Sequence, residues 1–324
     1  MDQNAKLAVI IPAYKPDYLE EALHSLSRQT VSRFHTYVSD DGSPHCLNDI
    51  VQRHASSLHL TYRRFDENLG RCDLAAHWNR SVRFTTEPWV WLFSDDDVAE
   101  PECVESFFDA LTTTSNGPVL YRFNTRVIDG SGSLIKACPC HPATEKSRDF
   151  VTSRLTFQRE SFAVEYIFSR TAFDSSGGFV SFPLAWNSDD ATWARLAGDT
   201  PIVTLAGPRV HWRKSGANIS STTRELEYSK LVADFEYASM IGHDYHRDSR
   251  MLANLTLWVL VRLVAFRLRS LCSPMPQFEE HCSKLRRRFH RWSRACKLAV
   301  VALQPALFIL RAAWMLVKSV KSRE

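Results

Sequence analysis

The first hundred residues alternate between short apolar runs and amphipathic stretches. The apolar, β-branched run Leu7–Ala13 predicts a buried strand of a parallel sheet. Pro16 and Asp17 then open a predicted helix, in which apolar residues recur three or four positions apart. The same alternation predicts strands over 34–38, 58–64 and 88–93, and helices around residue 50 and over 68–82. This order predicts an α/β domain with a parallel sheet and right-handed crossover connections.

The pattern changes after Pro118. The predicted elements are then a strand, a hairpin turn, a short helix and another strand, over 119–128, 129–132, 187–197 and 201–206. Residues 136–155 are polar and contain proline and cysteine without a clear period, so we expect a mobile loop over a ligand site.

Charge is distributed unevenly along the chain. Residues 251–324 carry 14 Lys/Arg and 3 Asp/Glu, whereas residues 1–250 carry 26 and 33. Such segregation is typical of an acidic catalytic domain joined to a basic attachment surface. We therefore expect a domain over 1–235 and a basic, apolar helical region over 236–324.

The apolar segment 298–317 is long enough, at about 30 Å as a helix, to cross a bilayer. Pro305 and Arg311 within it favour a helix that lies in the interface, next to the strongly basic segment 284–297. The partner expected for this region is an anionic inner-leaflet membrane rather than nucleic acid, because its basic residues are interleaved with apolar stretches. The expected localisation is therefore the cytoplasmic face of the cell membrane, with the protein bound as a peripheral or monotopic protein. The alternative for the C-terminal region is a pair of helices buried against the rest of the protein.

Cysteine usage and the N-terminus support a cytosolic environment. The eight cysteines include no Cys-x-x-Cys pair, which excludes zinc-ribbon and thioredoxin-type motifs and favours free thiols. The chain enters its first predicted strand without a preceding apolar segment, so we expect no secretory signal.

Three adjacent carboxylates, Asp95, Asp96 and Asp97, end the apolar strand predicted over 88–93. Adjacent like charges repel one another, and each carboxylate loses hydration when it is buried. A divalent cation at this position would remove the repulsion and would bring phosphate groups with it. Since open α/β sheets bind ligands at the carboxyl ends of their strands, the acids predict a nucleotide-type substrate.

Further polar residues stand at the ends of other predicted elements. Asp41 follows the second strand, where its carboxylate can accept a hydrogen bond from a base or a ribose, or can form part of a solvated turn. Asp189 and Asp190 begin a predicted helix, either as capping residues or as a base that takes a proton from a hydroxyl. His211 follows a strand, either in a structural role or as a ligand that complements oxygen atoms on Mn²⁺.

The order and spacing of these motifs resemble the family 2 glycosyltransferases over residues 5–220. The motifs are LAVIIPAYKPDYLEEALHSLSRQT, VSDDGSP, DENLGR, WVWLFSDDDVAEP, WNSDDATWARLAG and VHWRKSG. The resemblance implies the α/β GT-A fold, which is Rossmann-like, with the C-terminal helices as a membrane-associating extension. It further implies an inverting, metal-dependent hexosyltransferase that moves a sugar from a nucleoside-diphosphate donor, UDP-sugar first, to a hydroxyl of a glycan or lipid-linked acceptor. Mn²⁺ or Mg²⁺ would be the cofactor, and bacterial surface-polysaccharide synthesis would be the process.

The resemblance also assigns roles to residues. Contacts to the nucleotide-sugar would come from Pro12, Ala13, Tyr14, Asp41, Asn68, Gly70, Arg71, Asp95 and Asp96. The metal would be held by Asp97, Asp95 and His211, although Ser94 stands where the family often has an Asp, which leaves open which acid of the three binds it. Asp190 would be the catalytic base and Asp189 the second choice. Trp186, Trp193 and Trp212 are either sugar-stacking residues or core residues.

Two other functions remain as alternatives. A sugar-phosphate nucleotidyltransferase would carry a glycine-rich loop after the first strand, where this chain has Pro12 to Pro16 without glycine. A nicotinamide enzyme is excluded by the same absence. An inactive, membrane-attached scaffold of the same fold would not need Asp41, Asp190, His211 and the acidic triplet together.

Overall fold

A computed structural model describes residues 6–114, 117–216 and 226–269, together with 280, 283 and 284. Its contacts divide the chain into two units, Met1–Ser221 and Thr222–Glu324. The predicted boundary near 235 falls within a helix, so the first residues of that helix group with the second unit by their contacts. The predictions for the apolar segment 298–317 and for all but Lys284 of the basic segment before it lie outside the described residues.

The described part of the first unit is built on one mixed sheet. Its strands are β1 (Leu7–Ala13), β2 (Phe34–Asp40), β3 (Leu60–Arg64), β4 (Trp89–Leu92), β5 (Val98–Ala99), β6 (Leu120–Asp129), β7 (Leu134–Ala137), β8 (Thr144–Glu145), β9 (Tyr166–Ser169) and β10 (Ile202–Lys214). They lie in the order β3-β2-β1-β4-β9-β6-β10-β5, with β7 beside β6 and β8 beside β10.

Helices of the first unit connect these strands. They are α1 (Leu19–Ser27), α2 (Leu47–Gln52), α3 (Leu74–Arg83), α4 (Cys103–Thr113), α5 (Ser147–Leu155), α6 (Arg170–Ser175) and α7 (Ser188–Ala197), with short 3-10 helices at Ala163–Glu165 and Pro183–Ala185. In α1 the apolar positions at helical spacing are buried. Glu20 and Glu21 occupy the first turn, where a carboxylate interacts favourably with the positive end of the helix dipole.

The strands β1 to β4 form one parallel part of the sheet, and β6 and β10 form another. β1 pairs in parallel with both β2 and β4, and β2 pairs in parallel with β3. The side chains of residues 7–11 are 0% exposed, which explains why β1 is a continuous apolar run rather than an alternating one. Because these strands run in one direction, the segments that follow Ala13, Asp40 and Leu92 all leave the sheet at the same edge.

The predicted parallel arrangement is confirmed for β1 to β4, beyond which β9 runs antiparallel to its neighbours β4 and β6. The sequence prediction is wrong at two points. The segment 136–155, which is predicted as a loop, contains β8 and the helix α5. The buried face of α5 has few apolar residues, so its helical period is not evident in the sequence. The helix predicted from residue 68 begins at Leu74, because the Asp73 side chain accepts the N–H of Ala76 and caps α3 there.

The described helices of the second unit are α8 (Glu227–Asp244) and α9 (Ser249–Arg269). The ring of Tyr237 on α8 packs edge-to-face on Trp258 of α9, with ring centroids 5.7 Å apart. Arg262 of α9 donates from Nε to Oδ2 of the buried Asp234 on α8 at 2.7 Å, so its charge is neutralised within the pair. An aromatic contact and an ion pair thus join the two helices.

Residues 249–266 of α9 are long and apolar enough to cross a membrane, by length and composition alone. Leu257 and Val261, one helical turn apart, are exposed by 62% and 42%. A core helix of a soluble protein can pass the same test of length and hydropathy, so this observation is weak evidence for membrane association.

Candidate active site

A cleft of about 680 Å³ lies in the first unit, and the segments that follow β1, β2 and β4 contribute to its walls. It is lined by all but one of the predicted site residues, namely Pro12, Ala13, Tyr14, Asp41, Asn68, Gly70, Arg71, Asp95, Asp96, Asp97, Asp189 and Asp190. The cleft therefore brings together residues that are as much as 178 positions apart in the sequence, from Pro12 to Asp190.

Asp41 is held in one orientation by the loop before α3. Its Oδ1 accepts the N–H of Leu69 at 3.0 Å, and its Oδ2 accepts the N–H of Gly70 at 2.8 Å. Arg80 of α3 forms an ion pair with the same carboxylate. A Cβ atom at position 70 would lie 2.6 Å from Oδ2 of Asp41, so the loop can approach the carboxylate only because residue 70 is glycine.

His77 occupies the wall next to Asp41. Burial lowers the pKa of His77 to about 4, in spite of the attraction of Asp41 for the charged form. The imidazole is therefore neutral at physiological pH, and its Nδ1 accepts from Nε of Arg80 at 2.9 Å. Arg80 thus links the imidazole to the carboxylate and fixes this corner of the cleft.

Two members of the acidic triplet are engaged by the protein backbone. Oδ2 of Asp95 accepts the N–H groups of Tyr14 and Lys15, at 3.0 and 3.2 Å, and so ties the triplet to the segment after β1. Asp97 is fully buried, and its Oδ1 accepts the N–H of Arg213 at 2.8 Å. Its Oδ2 is buried without a hydrogen-bond partner in the part of the chain that the structure describes.

Asp96 lies between these two residues and is partly exposed to the cleft. Burial raises the pKa of Asp96 to about 7, and repulsion from Asp95 adds to the effect. Burial likewise raises the pKa of Asp95, and raises that of Asp97 well above its usual value. The protein thus concentrates three carboxylates whose ionised forms are disfavoured by burial and by mutual repulsion.

Arg213 of β10 holds the backbone of the acidic triplet in place. Its guanidinium is fully buried and donates from Nε to the carbonyl oxygen of Asp96 at 2.8 Å. It also donates to the carbonyl oxygen of Asp129, forms an ion pair with Glu21, and lies 4.4 Å from the ring centroid of Tyr18. One side chain of β10 therefore fixes the backbone of the acids relative to α1 and to the hairpin after β6.

A second pair of carboxylates lines the cleft at the first turn of α7. Asp190 is buried, and its Oδ2 accepts from Nε of Arg154 at 2.7 Å. Asp189 is partly exposed, and its pKa is raised to about 7, first by burial and then by repulsion from Asp190. A carboxylate that binds a proton near neutrality and borders a cleft is suited to accept a proton from a ligand.

His211 is the predicted site residue that the structure does not bring to the cleft. Its neighbour Trp212 lines the cleft, and successive side chains of a strand point to opposite faces. Nε2 of His211 lies 3.0 Å from Oε1 of Glu100, which also pairs with Arg126. Within 6–114, 117–216 and 226–269, no group of three or more His, Cys, Asp or Glu side chains is arranged to hold a metal ion.

Aromatic rings form part of the cleft wall. Trp212 stacks on Phe162 with ring centroids 4.5 Å apart, and Trp186 lines the cleft as well. Trp193 instead is 0% exposed and stacks on Tyr166 in the core, so the sugar-stacking alternative is wrong for this residue.

Sequence reasoning did not find several residues of the cleft wall, including Lys15, Leu74, His77, Trp78, Arg154, Glu160 and Phe162. Lys15 follows a motif residue directly, and its position after β1 was an available signal. Arg154 belongs to α5, within a segment that the sequence predicts as a loop. Nothing in the sequence pattern therefore indicates that Arg154 lies next to Asp190.

Part of the chain is similar in sequence to known proteins. The family model "Glycosyl transferase family 2" matches residues 8–150. Validoxylamine A glucosyltransferase of Streptomyces hygroscopicus subsp. limoneus is 34% identical over 107 residues, which are 32% of this chain and 23% of the relative. The match thus spans about a quarter of that relative's length.

Solved structures share the fold at low sequence identity. The structure of S. aureus TarS 1–349 has a TM-score of 0.59 at 15% identity, covering 83% of this chain and 75% of that one. Its complex with UDP-GlcNAc has a TM-score of 0.55 at 16% identity, with 81% and 80% covered. Mannosyltransferase PcManGT from Pyrobaculum calidifontis, in complex with GDP-Man and Mn²⁺, has a TM-score of 0.50 at 16% identity, with 98% and 88% covered.

The similarity to these solved structures confirms the expected fold. The family model covers the strands and loops that carry Asp41 and the acidic triplet. Residues 8–150 therefore match the model of glycosyl transferase family 2, and the first unit has the GT-A fold.

Proposed function

We propose that this protein is an inverting glycosyltransferase that moves a sugar from a nucleoside-diphosphate donor to a hydroxyl of a glycan or lipid-linked acceptor. The observation that carries the proposal is the cleft itself, which places Asp41, the acidic triplet and the Asp189–Asp190 pair around one volume. One relative is a glucosyltransferase, and two of the structural neighbours hold UDP-GlcNAc and GDP-Man, respectively. A UDP-sugar is the donor we propose first.

The proposed reaction is a single displacement. The acceptor oxygen forms a bond to the anomeric carbon while the bond from that carbon to the diphosphate oxygen breaks, and the nucleoside diphosphate leaves. Asp189 takes the proton of the acceptor hydroxyl, because its raised pKa and partial exposure suit a base that works near neutrality. Asp190, paired with Arg154, holds a negative charge beside it and keeps that pKa high. We thus prefer Asp189 to the Asp190 that the sequence predicts.

The nucleotide would occupy the opposite part of the same cleft. Asp41 would meet the base, with its carboxylate oriented by the amides of the 68–71 loop. Pro12, Ala13 and Tyr14 would border the nucleoside. Lys15 and Arg71 both line the cleft and would supply positive charge to the diphosphate as its bridging oxygen gains negative charge.

A divalent cation fits the acidic triplet. Mg²⁺ is commonly bound by one or two carboxylates and by substrate phosphates and waters, so a complete protein cage is not required. Asp96, at the cleft surface, and the unpartnered Oδ2 of the buried Asp97 are the ligands we propose, instead of His211. Mn²⁺ or Mg²⁺ bound there would act as a Lewis acid that stabilises the leaving diphosphate.

The proposed function is tested by incubating the purified full-length protein with sugar donors and measuring the nucleoside diphosphate that is released from each donor. UDP-glucose, UDP-GlcNAc and GDP-mannose are each offered with Mg²⁺ or Mn²⁺, with and without p-nitrophenyl hexopyranosides as acceptors. We expect release from at least one donor and faster release when an acceptor is present. Pyrophosphate formation from a nucleoside triphosphate and a sugar 1-phosphate would indicate a nucleotidyltransferase. A lack of turnover with every donor would favour an inactive scaffold.

We further propose that the protein works at the cytoplasmic face of the cell membrane on a surface-polysaccharide acceptor. Support comes from the +11 charge of residues 251–324 and from the apolar helix α9 with its neutralised Arg262. The full-length protein is expected to float with vesicles that contain anionic phosphatidylglycerol and to float less at high salt, because counter-ions screen the attraction. Equal flotation with purely zwitterionic vesicles would contradict the electrostatic part of this proposal.

A further inference from the structure

The turn between α6 and α7 has a strained backbone. Leu184 and Ala185 have φ values of 61° and 51°, in the left-handed region that such residues rarely adopt, and Asn187, a residue type that tolerates this region, has a φ of 60°. In the residues that the structure describes, only one other non-glycine residue, Phe157, has a positive φ. The left-handed region costs a side-chain-bearing residue on the order of 1 kcal/mol or more, and such conformations are concentrated at ligand sites.

Hydrogen bonds on both sides hold this turn in place. The N–H of Phe182 donates to Oγ of Ser188 at 3.0 Å, which closes the turn onto the first residue of α7. Inside the turn, the N–H of Ala185 donates to the carbonyl oxygen of Phe182 at 2.9 Å. Before it, Oγ of Ser181 donates to the carboxylate of Asp73, the capping residue of α3, at 2.9 Å. The strain is therefore maintained by the surrounding fold.

The strained turn carries Trp186 into the wall of the cleft. All four residues from Leu184 to Asn187 line it, directly before the carboxylate pair of α7. Trp186 and Asp189 are three residues apart, so their Cα atoms are within about 11 Å of each other at full extension. Because Trp186 and Asp189 also line the same cleft, one ligand there can contact both residues.

We propose that Trp186 determines acceptor specificity by stacking on the apolar face of a pyranose ring whose hydroxyl points to Asp189. This inference rests on the proposed function. The face of an aromatic ring carries partial negative charge and attracts the positively polarised C–H groups of a sugar. The acceptor is assigned rather than the donor because the base must lie within hydrogen-bond distance of the acceptor hydroxyl, and the turn leads directly to that base.

The test compares Trp186→Ala and Trp186→Phe with the unchanged protein. The donor and the p-nitrophenyl hexopyranoside that give the fastest turnover in the unchanged protein serve as probes. Trp186→Ala is expected to raise KM for the acceptor about tenfold or more, while Trp186→Phe, which keeps an aromatic face, should recover most of the loss. Nucleoside diphosphate affinity and acceptor-independent donor hydrolysis should stay within twofold in both variants.

The possible failures are distinguishable. No donor turnover in the unchanged protein would overturn the proposed function itself. Donor turnover without transfer to any hexopyranoside would overturn the inference of a pyranose acceptor. An unchanged acceptor KM in Trp186→Ala, or an effect on donor hydrolysis in place of acceptor KM, would overturn the role of Trp186 while leaving the function intact.

Discussion

Replacing Asp189 by Asn is expected to lower kcat for sugar transfer by about 10³-fold, within the range by which a general base accelerates a reaction. The substitution preserves the shape of the first turn of α7 but removes the group that takes the proton. Nucleoside diphosphate affinity, measured by calorimetry, is expected to change less than twofold, because the nucleotide contacts that we propose lie around Asp41. The measurement is steady-state transfer with the donor and acceptor identified for the unchanged protein.

The matched control is Asp190→Asn, one residue further along the same helix. Asp190 pairs with Arg154, and its Oδ1 has no hydrogen-bond partner among the described residues, which makes it the competing base. If Asp189 is the base, Asp190→Asn should lower kcat only about tenfold. A loss in Asp190→Asn that exceeds the loss in Asp189→Asn would reverse the two assignments.

The pH dependence gives an independent comparison of the two acids. A base whose pKa is raised to about 7 is protonated below that pH, so kcat/KM should fall about tenfold per pH unit on the acid side. Asp190→Asn removes the neighbouring negative charge that contributes to the raised pKa. The acid limb should therefore move to lower pH in Asp190→Asn, and an unmoved limb would show that the titrating group is not Asp189.

Replacing Asp96 by Asn is expected to reduce kcat by about 10²-fold or more and to abolish stimulation by Mg²⁺ or Mn²⁺. The amide is isosteric with the carboxylate but carries no charge, so the loss reports on cation binding and on the diphosphate that the cation would stabilise. The measurement is transfer rate against cation concentration, together with Mn²⁺ binding followed by electron paramagnetic resonance in the presence of UDP.

Asp95→Asn is the control for the Asp96 variant. Asp95 accepts two backbone N–H groups after β1, so its replacement should mainly weaken donor binding and raise donor KM. Wild-type cation dependence in Asp96→Asn would contradict the proposed ligand. Loss of that dependence in Asp95→Asn alone would move the cation to Asp95.

The sequence predicted the positions of the cleft residues well where the chain direction determines them. Parallel strands end at one edge, so residues such as Asp41 and Asp95 had to meet once β1, β2 and β4 were recognised as apolar runs. The partners of each carboxylate were not predictable in this way. Arg154 and Arg213 reach Asp190 and the acidic triplet from elements 36 and 116 residues away, and no local pattern records such contacts.

The prediction for His211 shows a second limit. The sequence places His211 near the end of a strand, and the structure confirms the strand. Which face of the strand a side chain occupies depends on register, and a shift by one residue exchanges the two faces. Trp212 lies on the cleft side here, so His211 points towards Glu100 instead. Asp189 and Asp190 likewise differ only in their surroundings, which the order of the motif does not describe.

The fixed orientation of Asp41 has a practical consequence for engineering the donor preference. The carboxylate is oriented by the amides of Leu69 and Gly70 and by Arg80, so its substitution alone would leave these donors directed at an altered or missing group. Buried donors that lose their acceptor are costly. Under the proposed contact of Asp41 with the base, a variant with a different nucleobase preference should therefore exchange Asp41, the 68–71 loop and Arg80 together.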